Sequence, residues 1–170
     1  ILGWVWSNGT LSANPHYVCT LKTCKRPETV TQLRSYVGAY KVLYRVVKDC
    51  SRVIAPLDKL TSGRPSSEKL KWDSHSIEAF NNAQEYISNA ISITLPRPSD
   101  QLYIVTDAAT RKPGIGSTLY IDRPGSKLTI GGFFSAKLAS NQIDWLPCER
   151  EALAIGSSVR YFQPYITQSD

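Results

Sequence analysis

The sequence predicts an α+β protein in which a helical segment precedes a three-stranded antiparallel meander and one further helix. Apolar residues recur at helical spacing after Thr29, which forms a T-x-x-Q capping-box pattern with Gln32. From Leu102 the apolar period becomes that of strands, and the helical period returns at Cys148. Helices followed by a βββα order therefore define the expected architecture.

The first elements predict a hairpin. Residues 2–7 are rich in Trp and Val and indicate a strand, and Asn8-Gly9 is a favoured two-residue turn into an extended piece at Thr10-Leu11. His16, which lies next to Pro15, is expected in a loop.

The main predicted helix carries a row of cations beside its apolar side. The apolar positions are Val30, Leu33, Val37, Tyr40, Tyr44 and Val47. The row consists of Arg34, Gly38, Lys41, Arg45 and Lys48, at intervals of four, three, four and three. One face is cationic if the helix continues that far. Such rows are usually solvated faces, but no acidic residue interrupts this one, so nucleic-acid contact and a solvated face both stay open.

The remaining elements follow in order. A second helix is expected at about residues 51–60, and the Ser, Gly and Pro residues of 61–67 indicate a linker and the main boundary. Asp73 is a candidate helix cap, with Trp72 as a hydrophobic staple and His75 exposed in the first turn. Strands are predicted at 102–106, 117–121 and 128–135, and the last helix at 148–162 with Ala152, Ile155 and Val159 on one side.

Composition excludes several classes of protein. The 170 residues are 42% hydrophobic and 20% charged, which is ordinary for a globular protein. No apolar run reaches membrane-spanning length, and no secretory signal is present. The cysteines lack the paired spacing of a zinc site and indicate free thiols. We therefore expect an intracellular protein that is not secreted. Its first residue is Ile, so we also expect a piece of a longer protein.

The net charge of +6 is unevenly distributed along the chain. Residues 20–71 contain 12 Lys or Arg against 4 acidic residues, whereas residues 99–170 contain 7 of each. The first half is therefore expected to attract polyanions, and the second half is balanced.

Two carboxylates in the second half are candidate metal ligands. Asp107 closes the predicted strand, and Glu151 lies 44 residues later at the start of the last helix. Such a pair could share a divalent metal. Taken alone, the pair is weak evidence for a metal site, because an Asp at a strand end is more often a turn residue.

The chain resembles the Pol polyprotein of long-terminal-repeat retroelements of the gypsy/Ty3-like or a related kind. The resemblance covers the end of the reverse transcriptase and its RNase H-like domain. The matching motifs of the first part are Leu2-Gly3, Ser7-x-Gly9, Pro27, Thr29, Leu33-Arg34-Ser35, Gly38, Tyr44-Arg45 and Ala55-Pro56-Leu57. Those of the second part are Trp72, Ala79-Phe80, Leu95-Pro96, Thr106-Asp107-Ala108, Gly114-Ile115-Gly116, Ser135-x-Lys137-Leu138 and Glu149-x-Glu151-x-Leu153-Ala154-Ile155.

The resemblance implies an RNase H site at Asp107 and Glu151. Enzymes of this family are understood to use two Mg²⁺ ions, with Mn²⁺ as a possible substitute, to cleave the RNA of an RNA·DNA hybrid. Asp107 matches the first-strand aspartate, and Glu151, rather than Glu149, matches the helix glutamate. Arg34, Lys41, Arg45 and Lys48 would contact the phosphates of a template-primer duplex.

The resemblance further implies how the chain is organised. Residues 1–65 correspond to the end of the polymerase palm and the thumb, 66–98 to a connecting helix, and 99–170 to an RNase H-like domain truncated before its remaining strands. The next catalytic aspartate would lie beyond the chain, so weak or absent nuclease activity is expected of this piece. A cytoplasmic particle or the nucleus would be its location, and the remainder of Pol its partner. The alternative is a catalytically inactive, decayed or domesticated nucleic-acid-binding domain.

Overall fold

The computed structural model describes residues 3–109 and 114–167 and contains two small sheets and five α-helices over those residues. The strands are β1 (Trp4–Ser7), β2 (Thr10–Ala13), β3 (Ile93–Thr94), β4 (Gln101–Ala109), β5 (Gly114–Asp122) and β6 (Thr129–Lys137). The helices are α1 (Pro15–Thr23), α2 (Val30–Lys41), α3 (Cys50–Thr61), α4 (Ser74–Ile87) and α5 (Pro147–Ile166), with short 3-10 turns at Val42–Arg45 and Ser140–Gln142. The predicted α+β class is confirmed.

Both sheets are antiparallel. The first has the order β1-β2-β3, and the second is the predicted meander with the order β4-β5-β6. Asn8 and Gly9 both have positive φ angles, 48° and 75°, which is the backbone of a tight hairpin turn. The hairpin prediction is therefore confirmed, although Leu2 lies outside the described residues.

Helix α1 is a correction to the sequence prediction. His16 was expected in a loop, but it lies in the first turn of α1. The Asn14 side chain accepts a hydrogen bond from the His16 backbone N–H at 2.9 Å, and Pro15 occupies the first helical position. Asn followed by Pro is a helix-start signal, because the capping side chain satisfies a free N–H and Pro needs none there.

The larger core is helical and includes residues of the predicted connecting segment 66–98. Buried residues of α2, α3 and α4 pack together, with Tyr36 and Phe80 in ring contact at 5.0 Å. The predicted capping box at Thr29 and the predicted cap at Asp73 are both present, and Ser76 makes the Asp73 cap reciprocal as well. Helix α4 and strand β3 thus pack with the amino-terminal elements, although they lie in the segment expected to connect two domains.

Helix α2 is shorter than its apolar pattern indicated. It ends at Lys41 and tightens into a 3-10 turn over Val42–Arg45. Leu43, Val46 and Val47 remain fully or almost fully buried. The pattern continued because these residues also face the core, although the chain there is no longer α-helical.

Strand β6 contains a bulge at two consecutive glycines. The register with β5 shifts between Leu119 and Tyr120, which leaves Gly131 as the extra residue on β6. A Cβ at Gly131 would lie 2.9 Å from the side chains of Leu119 and Ile121. The neighbouring Gly132 has a φ of +151°, a conformation that favours glycine.

Helix α5 packs on the meander through a side that the sequence pattern did not single out. Its buried residues are Ala154, Ser158 and Phe162. Ala152, Ile155 and Val159 share a side, as expected, but that side is exposed. Periodicity identified the helix but not which of its two apolar sides packs within the described chain.

A buried ion pair fixes the start of the meander. Asp100 is 4% exposed and accepts from Nε and Nη2 of Arg123 at 2.8 and 2.7 Å. Arg123 also donates to the Leu95 carbonyl at 3.3 Å. The Arg123 hydrogen bonds hold the pKa of the Asp100 carboxyl below its usual value, although burial opposes them. The pair thus ties the turn after β5 to the segment that enters β4.

We expect Asp100→Asn to lower the urea midpoint at neutral pH, because it leaves Arg123 without its counter-ion. The folded-state pKa lies below the unfolded value of about 3.9. The carboxylate therefore stabilises the fold above about pH 4, and this contribution disappears as the pH falls through the lower folded-state pKa. The difference between wild type and Asp100→Asn should be largest at neutral pH and should close in acid, as measured by urea denaturation at each pH.

The matched control is Asp122→Asn, which makes the same chemical change beside Arg123 without removing an ion pair found in the described residues. A midpoint difference that stays constant as the pH falls would contradict a role for the Asp100 charge.

Candidate functional site

The structure brings Glu151 to the end of β4, where Asp107 lies. Helix α5 packs against β4, and Oε1 of Glu151 accepts a hydrogen bond from the Ala108 backbone N–H at 3.3 Å. Ala108 is buried together with Ala154, one turn from Glu151 on α5. This small apolar contact fixes the helix against the strand, so Glu151 lies beside the residue that follows Asp107.

Asp107 itself is exposed. It pairs with Gly116 on β5, and residues opposite each other in an antiparallel pair share one face of the sheet. Because its partner is a glycine, no side chain stands opposite Asp107 on β5. The strand end is therefore open to a ligand from that face.

The donors at this site suit a hard cation. Carboxylate oxygens are the ligands that Mg²⁺ and Mn²⁺ prefer. Within residues 3–109 and 114–167, no cluster of three or more His, Cys, Asp or Glu side chains is placed to hold a metal. Asp107 and Glu151 are two carboxylates at the end of β4 and the start of α5, and their role as metal ligands stays a prediction.

The four cations of the predicted row are not equivalent. Arg34 donates to the carbonyls of Thr61 and Arg64 at 3.0 and 2.9 Å, and to Ser66 Oγ at 3.0 Å. It therefore ties α2 to the segment after α3. Lys48 is exposed and lies beyond the end of α2, in the turn before α3.

Lys41 and Arg45 contact residues from distant parts of the chain. Lys41 Nζ lies 3.3 Å from Oδ1 of Asp58, whose Oδ2 lies 3.2 Å from Nζ of Lys137. The Arg45 guanidinium lies over the rings of Tyr161 and Tyr165, at 5.9 and 5.3 Å from their centroids. It also donates a hydrogen bond to the Tyr165 hydroxyl.

These contacts form a junction between the helical core and the meander. The Ser51 backbone N–H donates to Ser135 Oγ at 3.0 Å, and Ser51 Oγ donates to the Ser135 carbonyl at 2.7 Å. Sequence reasoning missed Tyr161 and Tyr165 as partners of Arg45. Their spacing of four places both on one face of a helix, which was the available signal, but nothing local connects them to Arg45.

The meander and the helix packed on it lie within a region that matches a known protein family. The chain belongs to the family described as the RNase H-like domain found in reverse transcriptase, whose model matches residues 72–170. The matched region begins at Trp72 and therefore includes α4.

The relatives of the chain are retrotransposon Pol polyproteins, which confirms the resemblance to retroelement Pol. The retrovirus-related Pol polyprotein from transposon opus of Drosophila melanogaster is 22% identical, over 97% of this chain and 17% of its own length. The transposon Tf2-3 polyprotein of Schizosaccharomyces pombe is also 22% identical, over 84% of this chain and 10% of its own length. The chain thus spans less than a fifth of these relatives.

Solved structures share the fold. A foamy viral protease-reverse transcriptase in complex with double-stranded DNA superimposes with a TM-score of 0.79 and 15% identity, over 95% of this chain and 29% of that chain. A complex of the foamy viral protein with an RNA/DNA hybrid gives 0.76 and 14%, over 95% and 22%. Over the described residues, none of the helices is both long enough and apolar enough to span a membrane.

We expect Arg34→Lys to lower the free energy of unfolding by about 1 kcal/mol, because an ammonium cannot reproduce the forked hydrogen bonds of the guanidinium. Urea denaturation measures the change. Arg160→Lys is the matched control, since Arg160 is an exposed residue of α5. Equal stability of the two variants would show that the contacts of Arg34 do not hold the segment after α3.

Proposed function

We propose that this chain is the part of a retrotransposon reverse transcriptase that grips a nucleic-acid duplex and supplies Asp107 and Glu151 to an RNase H site. The observation that carries the proposal is the hydrogen bond from Ala108 to Glu151, which joins the helix carboxylate to the end of the Asp107 strand. The parent protein would synthesise DNA on an RNA template and cleave the RNA of the hybrid. The remainder of Pol would supply the polymerase site.

Divalent metal ions would supply the hydrolytic chemistry of the complete site, by activating water and stabilising charge at the scissile phosphate. Within this chain, Asp107 and Glu151 would contribute oxygen ligands. The Ala108 N–H would hold the Glu151 carboxylate in place. Mg²⁺, or Mn²⁺ in its place, is the proposed cofactor, with two ions in the complete domain.

A duplex is the proposed partner because the first half of the chain carries the excess of Lys and Arg. The solved structures that share this fold hold double-stranded DNA and an RNA/DNA hybrid. Lys41, Arg45 and Lys48 would contact phosphates near the junction. Arg34 would contribute its charge from a position that its three hydrogen bonds hold fixed.

A second candidate is a nucleic-acid-binding domain without nuclease activity. It is favoured by the excess of Lys and Arg in the first half of the chain, since attraction of a polyanion requires no metal site. Both candidates bind a nucleic-acid duplex, but only the first also binds a metal ion.

We expect Mn²⁺ to bind the folded chain weakly, and Asp107→Asn and Glu151→Gln each to abolish that binding by removing one of two charged ligands. The fraction of Mn²⁺ that is bound is measured from the electron paramagnetic resonance signal of the free ion. The matched control is Glu149→Gln, because Glu149 lies on the same helix and instead accepts from the Leu146 N–H at 2.8 Å. No saturable binding by the wild type, or equal binding by all variants, would favour the second candidate.

We expect the logarithm of duplex affinity to fall with the logarithm of salt concentration at a slope near −4 if about four cations neutralise phosphates. The double variant Lys41→Ala with Arg45→Ala should flatten the slope by roughly two. Fluorescence anisotropy of a labelled RNA·DNA hybrid over a salt series measures both.

Lys22→Ala with Lys127→Ala removes the same charge from exposed positions in α1 and in the β5–β6 turn. Equal flattening in both double variants would assign the slope to overall charge. An unchanged slope after the Lys41 and Arg45 substitutions would show that these two cations do not contact the phosphates of the duplex.

A further inference from the structure

A cleft of about 310 Å³ opens where the β1–β2 hairpin, the 3-10 turn after α2 and helix α5 meet. Its size is at the lower end of the range for small-ligand sites, about 300 to 1,000 Å³. The side chains that matter for its chemistry are Trp4, Lys41, Val42, Tyr44, Arg45 and Tyr161. The cleft therefore combines aromatic walls with two cations.

The aromatic walls are held in place by the surrounding structure. Trp4 packs against the helical core, and its strand pairs with β2. Tyr44 Oη is in hydrogen-bond contact with Ser51 Oγ at 3.2 Å. The Tyr161 ring packs on Phe134 at a centroid distance of 4.9 Å. Rings from three different elements thus face one opening without having to be ordered by a ligand.

Positive charge at the cleft exceeds the negative charge that balances it. Asp58 is shared between Lys41 and Lys137, so one carboxylate faces two ammonium groups. Arg45 forms no ion pair within the described parts of the chain and is held by tyrosine side chains instead. None of the cleft-lining residues is acidic. The site therefore favours an anion.

We propose that this cleft binds one unpaired nucleotide, whose base stacks on the aromatic side chains and whose phosphate contacts Lys41 and Arg45. Every base offers a flat face to an aromatic ring, and stacking of this kind contributes about 1 to 3 kcal/mol per base. A free phosphate would leave the aromatic walls unused. The inference rests on the proposed duplex grip, since it assigns the cleft to a nucleotide at the end of a bound duplex.

The test compares two RNA·DNA hybrids of equal length, one blunt and one with a single unpaired 2-aminopurine nucleotide at its end. We expect the 170-residue chain to bind the second hybrid about tenfold more tightly and to quench its fluorescence, because the base leaves water and stacks. Free 2-aminopurine nucleoside monophosphate is a second probe, which reports on the cleft without requiring duplex binding.

Two variants test whether the unpaired nucleotide binds in this cleft. Val42→Glu places a carboxylate beside the phosphate, and Trp4→Leu removes a stacking ring without changing charge. Both should abolish the preference for the unpaired nucleotide and the quenching of the free nucleotide. Val42 is 41% exposed, so the substitution is compatible with folding. Leu128→Glu, at a position that is 55% exposed in the β5–β6 turn, is the charge-matched control and should retain both.

The outcomes separate this inference from the proposed function. Equal affinity for both hybrids without quenching would overturn nucleotide binding in the cleft. So would a preference for the unpaired nucleotide that survives in Val42→Glu and Trp4→Leu. Either result would leave the proposed binding of a duplex intact. Quenching of the free nucleotide that Val42→Glu abolishes, without binding of either hybrid, would support the cleft and contradict the duplex grip. Failure of every probe would overturn both.

Discussion

The arrangement of the meander and the helical core depends on strand β6, which has a neighbour on each of two sides. It pairs with β5 in the meander and also packs against the helical core, where Ser51 and Ser135 exchange two hydrogen bonds. Strand β6 carries a bulge at Gly131, where any side chain would collide with Leu119 and Ile121 of the neighbouring strand β5. A Cβ at Gly132 would lie 3.5 Å from Phe162 and 3.7 Å from the Arg45 carbonyl. These are ordinary van der Waals distances, so Gly132 lies where helix α5, the 3-10 turn and the sheet meet, and its φ of +151° rather than a lack of space favours glycine there.

Helix α5 consequently links two places that are far apart in the sequence. Its first turns hold Glu151 beside the end of β4, and its last turns hold Tyr161 and Tyr165 around Arg45. The face between them, Ala154, Ser158 and Phe162, is buried. One packed helix therefore carries the Glu151 carboxylate near its start and the two tyrosines around Arg45 near its end.

The cationic row shows how tertiary contacts divide residues that look alike in the sequence. Arg34 uses its guanidinium to hold three oxygen acceptors, Lys41 shares a carboxylate with Lys137, and Arg45 lies over two aromatic rings. Lys48 remains exposed. A row of charges fixes the sign of the local potential, but each cation's partners come from segments that only folding brings near.

The sequence by itself determined the elements whose signals are local. The capping box at Thr29, the helix cap at Asp73, the Asn8-Gly9 turn and the three strands of the meander follow from backbone preferences and from side-chain period. Motifs in register also singled out Asp107 and Glu151, whose roles remain proposals. Only the tertiary structure decided where α2 ends, which side of α5 is buried and what holds Arg45. All three depend on packing between residues that are distant in the chain, and no local pattern encodes such packing. Helix periodicity shows that a side is apolar, but it does not show which other element covers that side.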